Sequence, residues 1–279
     1  MKGLLMGIQL GLYSTVLLSA VHSWSRIDFA KLASFPKLIC AAALFRMVWL
    51  VCVFSDLSPS VGCERGELLW VLRNALLFTG ELAQICSLTA FSSIFFFWWD
   101  ALLASGNRVC NLSLLQILLN LWVFVLWVSL FAYRLLRGKC NDGGAEQWEE
   151  SEWEEELLLS GFFALLGLGF AIVGVGLARM LHTKPSSSGE RMRFKIGAIC
   201  LSAVPLFLTK SGLLLALALG STPPAGGMWY PWLYFTLPEV LPALVCLYFL
   251  RRRDVDSIAL EDAALLRGGE DASNDVWRL

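Results

Sequence analysis

The sequence predicts an all-α protein, a polytopic bundle of seven transmembrane helices, and three observations lead to that class. The chain of 279 residues is 57% hydrophobic and only 16% charged, whereas a soluble domain is about half apolar and about a quarter charged. Its apolar residues gather into long uninterrupted runs. Its basic residues fall unevenly between those runs. The same figures exclude other classes. A net charge of −1 from 22 basic and 23 acidic residues leaves no bulk positive charge for a nucleic-acid partner. Eight scattered cysteines do not make a disulfide framework.

A helix needs about 20 mostly apolar residues to cross the hydrocarbon core. Seven stretches meet that length: 3–21, 36–55, 74–99, 113–133, 157–180, 196–219 and 228–250. Each must be helical, because unpaired backbone groups in lipid cost several kcal/mol. The first follows Met1-Lys2 and ends near Ala20-Val-His-Ser23, so it reads either as a span or as a cleaved signal peptide. The second and third carry Arg46 and Glu81. The fifth holds Gly167, Gly169, Gly174 and Gly176, small residues that let helices approach closely. The sixth contains Lys210, and in the seventh Pro238 and Pro242 bracket Glu239, which predicts a kink at that charge. Between spans stand turn-rich segments such as Asp56-Leu-Ser-Pro59 and Pro185-Ser-Ser-Ser188. Residues 1–250 thus form the membrane domain and 251–279 a tail.

Orientation follows from lysine and arginine counted by side. Arg26, Lys31, Lys37, Arg108, Arg179, Lys184, Arg191, Arg193, Lys195, Arg251, Arg252, Arg253, Arg267 and Arg278 share one side. Only Lys2, Arg65, Arg73, Arg134, Arg137 and Lys139 share the other. The richer side is expected to be cytosolic, with the N-terminus outside and the C-terminus inside. On that topology Cys63 and Cys140 are the two cysteines in external loops. They form a candidate disulfide in an oxidising lumen, or remain two free thiols. The second external loop is acidic, with Asp142, Glu146, Glu149, Glu150, Glu152, Glu154, Glu155 and Glu156 around Trp148 and Trp153. A solvated loop is the plain expectation for it. The sequon Asn111-Leu-Ser113 falls on the cytosolic side, where it stays unglycosylated.

Four charges lie inside spans: Arg46, Glu81, Lys210 and Glu239. Each is costly in lipid unless paired or solvated. Two cations and two anions can neutralise one another, and Lys210 with Glu239, on consecutive helices, is the expected pair. A buried pair fixing helix register is favoured over an ion relay, since no chain of acids or histidines continues to either surface. His22 and His182 are the only histidines, too few for a histidine-rich zinc site. No phosphate-binding glycine loop and no nucleophile with a partnered base is present. Neither an enzyme nor a cofactor is expected.

Helix 7 runs Glu239-Val-Leu-Pro242 to Leu250-Arg251, and helix 5 with its loop runs Gly169-Phe170, Gly174, Leu181, Pro185, Ser188 to Lys195. Helix 3 ends Phe97-Trp98-Trp99-Asp100, and Arg46 lies in Leu44-Phe-Arg-Met47. Over residues 36–251 this set resembles the plant tobamovirus multiplication proteins and their animal orphan-receptor-like relatives. There are departures: Lys210 stands where that family has an arginine, and the approach to Glu239 is about three residues short. The resemblance implies a non-enzymatic protein of the vacuolar or lysosomal membrane. It also implies cytosolic partners: an Arf-like or Rag-type small GTPase and, in plants, viral replication proteins. The expected partner surface is the third cytosolic loop at 183–195, with Lys184, Arg191, Arg193 and Lys195, together with Arg251, Arg252 and Arg253. Contact with anionic membrane lipid is the alternative use of those residues. In the tail, Glu261 precedes Leu265 and Leu266 in the spacing of an acidic dileucine sorting address. The competing function is a receptor or transporter using Lys210 and Glu239.

Overall fold

The computed structural model describes residues 2–24, 32–54, 67–105, 112–137, 145–182, 187–219 and 232–250. These residues are helical apart from short turns, and no strand occurs among them. The helices are α1 (Lys2–Trp24), α2 (Ser34–Phe54), α3 (Glu67–Ser105), α4 (Leu112–Arg137), α5 (Ala145–His182), α6 (Ser187–Ala218) and α7 (Leu237–Phe249). Five stretches of described helix are long and apolar enough to cross a membrane: Leu4–Trp24, Ser34–Cys52, Phe78–Leu103, Glu156–His182 and Gly189–Ala218. Two apolar stretches are shorter, Leu114–Leu130 and Tyr234–Phe249.

Side-chain contacts give the direction of each helix. Ser14 meets Met47 while Trp24 meets Lys37, so α2 runs back along α1. The same falling register places Trp49 over Gly80 and Phe35 against Phe91. It recurs between α3 and α4, α5 and α6, and α6 and α7. The parallel pairs are α3 with α5, where Phe95 meets Gly169 and Leu102 meets Gly176, and α1 with α7. Helices α1, α2, α3, α5, α6 and α7 thereby close into a ring, and α4 packs outside it against α3.

Aromatic rings fill the ring of helices. Phe91 touches Phe35 at 6.0 Å and Phe207 at 5.0 Å between centroids, and Phe207 touches Phe163 at 5.8 Å. Glycines in α5 permit this closeness. A methyl at Gly169 would stand 2.7 Å from Phe95, and one at Gly174 would overlap the Cys200 sulfur. Large apolar side chains such as Leu165, Ile172 and Leu201 point outward, as they do on a lipid-facing surface.

Three expectations change. The acidic run, read as loop, is helical from Ala145 onward, because glutamate is a good helix former and negative charge suits a helix N-terminus. Residues 187–195 of the loop at 183–195 are the start of α6, where Glu190 suits the positive end of the helix dipole in the first turn. The irregularity expected at Glu239 lies earlier, in a π turn at Trp232–Thr236. Pro238 cannot donate to the carbonyl four residues before it, and the wider turn absorbs that break. The α-helix then continues through Pro242. Cys63, Cys140, Asn111, Lys184, Arg251, Arg252, Arg253, Glu261, Leu265 and Leu266 lie outside the described residues.

Candidate functional site: a buried arginine, glutamate and lysine node

Three of the four charges set within the apolar runs converge inside the ring. Arg46 from α2, Lys210 from α6 and Glu239 from α7 are all buried, the two cations with no exposed surface. The Arg46 guanidinium donates from Nε to Glu239 Oε2 at 3.0 Å and from Nη2 to Oε1, the two-pronged geometry that suits a carboxylate. Lys210 Nζ donates to the same Oε1 at 3.2 Å, and the Tyr13 hydroxyl donates to Oε2 at 3.0 Å. One turn away, Gln9 Nε2 donates to Thr236 Oγ1 at 3.0 Å. Glu239 thus accepts four bonds from three helices other than its own, and its carboxylate is saturated.

Aromatic faces wall the cations. The Arg46 guanidinium carbon lies 4.5 Å from the Phe235 ring centroid and 5.2 Å from that of Trp49. Lys210 Nζ lies 4.4 Å from Phe163 and 5.5 Å from Tyr234. Ring faces carry negative quadrupole charge and attract cations, more so when water is excluded. They offset part of an imbalance, because the node holds two cations and one anion. Arg46 Nη1 is buried with no acceptor among the described residues.

Glu81, expected as the fourth member, stands apart from the node. Trp127 Nε1 of α4 donates to its Oε2 at 3.1 Å. It belongs to a polar seam in which Ser92 donates to Asn120 Oδ1 at 2.9 Å and Gln116 donates to Ser93 at 2.9 Å. The seam docks α4 on the outside of the ring.

Sequence reasoning located the charges and missed their surroundings. Tyr13 and Gln9 sit one helical turn apart on α1, and that polar spacing in an apolar span was the available signal. The walls, Trp49, Phe163, Tyr234 and Phe235, carried none, because rings that face lipid look the same in sequence. Among the described residues no group of three His, Cys, Asp or Glu stands ready for a metal ion. The node thus joins one acid, two cations and a phenol.

No family model, curated protein or solved structure matches the chain.

Proposed function

We propose that this chain is a non-enzymatic seven-helix membrane scaffold of the vacuolar or endolysosomal membrane. Its N-terminus is lumenal, its C-terminus cytosolic, and it recruits a cytosolic partner of the Arf-like or Rag-type small GTPase class. The observation that carries the reading is spatial. The segments on which the family resemblance rests lie far apart in sequence, yet they meet in pairs. Arg46 bonds Glu239 across 193 positions, and Trp98 of the Phe97-Trp98-Trp99-Asp100 segment packs on Phe170 of the Gly169-Phe170 segment at 5.4 Å. Residues that meet in this way form one structural frame, and that frame is what supports the reading.

Two further points support seven crossings. Helix α4, with 26 residues, is about 39 Å long at 1.5 Å per residue, enough for a hydrocarbon core of about 30 Å. The parallel run of α3 and α5 also needs a return crossing between them, and α4 is the helix available. Proximity labelling from the C-terminus is the test. Recovery of Arf-like or Rag-type GTPases supports the scaffold. Labelling that recovers no GTPase refutes it.

A receptor or transporter remains the second reading, and the surplus positive charge with the unpartnered Arg46 Nη1 favours it. Uptake or signalling abolished by Glu239→Gln in a protein that still folds would select that reading.

A further inference from the structure

The basic residues at the start of α6 are not all placed for a protein partner. The outward stripe of α6 runs through Phe194, Gly197, Leu201, Pro205, Leu208 and Gly212, all exposed. Phe194 is 71% exposed and Leu201 80% exposed. On a membrane-spanning helix this stripe faces lipid. Arg193 is exposed beside Phe194, and Arg191 is exposed half a turn earlier, so both stand where the lipid-facing stripe ends. On α7 the outward residues Leu241 and Tyr248 form a second stripe, with Tyr248 64% exposed. The two stripes join at that end, where the Phe194 and Phe249 rings meet edge to face at 6.0 Å. Aromatic rings next to arginines at the end of an apolar face mark the headgroup level of a bilayer.

We infer that the α6–α7 seam at Arg191, Arg193, Phe194, Tyr248 and Phe249 is a binding site for the headgroup of an anionic phospholipid. The rings sit at the acyl boundary, and the two guanidinium groups take the phosphate oxygens, which they fit in a two-pronged manner. Charge complementarity selects the occupant: among the described residues neither arginine has an acidic partner, and a zwitterionic headgroup supplies no net charge for them. The inference rests on the proposed orientation, which places this end on the cytosolic leaflet, where anionic lipid concentrates.

The test is native mass spectrometry of the purified full-length protein in mixed micelles holding phosphatidylinositol 4-phosphate and phosphatidylcholine. The wild type retains the inositol lipid in preference. Each basic residue near an anionic surface contributes about 1 kcal/mol, about a fivefold change in affinity. R191Q/R193Q therefore lowers the preference about thirtyfold with an unchanged melting temperature. K37Q, at the same end but on α2, leaves it intact. Equal retention of both lipids by the wild type overturns the inference. So does a K37Q loss as large as that of the double variant, which would mark diffuse charge instead of a site. Glycosylation mapping of the termini tests the orientation separately. Micelles have no sides, so a failure of lipid selectivity is distinguishable from a failure of the scaffold reading.

Discussion

Glu239 is where the energetics of the molecule concentrate. Moving a carboxylate and two cations out of water costs several kcal/mol per ion, which attraction and hydrogen bonds must offset. Removing one partner leaves the desolvation cost without the compensation. Glu239→Gln is therefore expected to destabilise the protein by about 3–5 kcal/mol, seen as a large drop in melting temperature in detergent. Replacing all three charges with apolar residues of similar volume, as in Arg46→Met, Lys210→Met, Glu239→Leu, should cost less than the single change. A single variant milder than the triple one would show that the node does not behave as a buried ion cluster. The charges themselves could be found from sequence because an ion in an apolar run has no inexpensive alternative to a partner. Tyr13 gave a weaker signal, its spacing of one turn from Gln9, since tyrosine is tolerated in a span whether or not its hydroxyl finds an acceptor.

Helix α5 and helix α4 test two different kinds of packing. At Gly174 the neighbouring Cys200 leaves no room for a Cβ, whereas nothing lies within 4 Å of a Cβ at Gly161. Gly174→Leu should therefore lose more than the 1–3 kcal/mol typical of an overpacked core, while Gly161→Ala is neutral, both read by thermal melts. The glycines were visible in the sequence as a cluster, but which faced a neighbour depended on helix rotation. Helix α4 is held by the seam of Gln116, Asn120 and Trp127. Interhelical hydrogen bonds in membranes average about 0.6 kcal/mol, so Gln116→Leu should lose a similar amount and leave the ring standing. Increased protease cleavage after α4, without loss of the compact fold, is the expected sign. The position of α4 outside the ring was not readable, because its apolar residues suit lipid as well as protein. Gln116 and Asn120, four residues apart, were the hint of a narrow contact face.

The described helices run as an alternating path, and the orientation proposed for them rests on the basic residues counted by side. An acceptor site added before Lys2 should be glycosylated, and one added after Leu279 should not. Asn111 should show no shift with glycosidase treatment. Glycosylated Asn111 would reverse the topology and remove the basis for a cytosolic partner at α6. The helical class and five long apolar helices were legible from composition and length, because long apolar runs fold as helices when they are to cross a membrane. The closed order of α1, α2, α3, α5, α6 and α7 was not. Connectivity dictates which helices follow one another, while the ring depends on contacts between first and last.

That closure has a consequence for synthesis. Arg46 is synthesised with the second helix of the bundle, but the carboxylate that receives it lies 193 residues later. At about 5–20 residues per second, the arginine waits about ten to forty seconds for its counter-ion, and Lys210 joins it 29 residues before that counter-ion is made. Until the last helix arrives, the nascent chain must shelter a growing positive charge with water, lipid phosphates or an insertion chaperone. Assembly of this bundle is completed from its C-terminus, and a chain that stops before α7 carries that charge unmet.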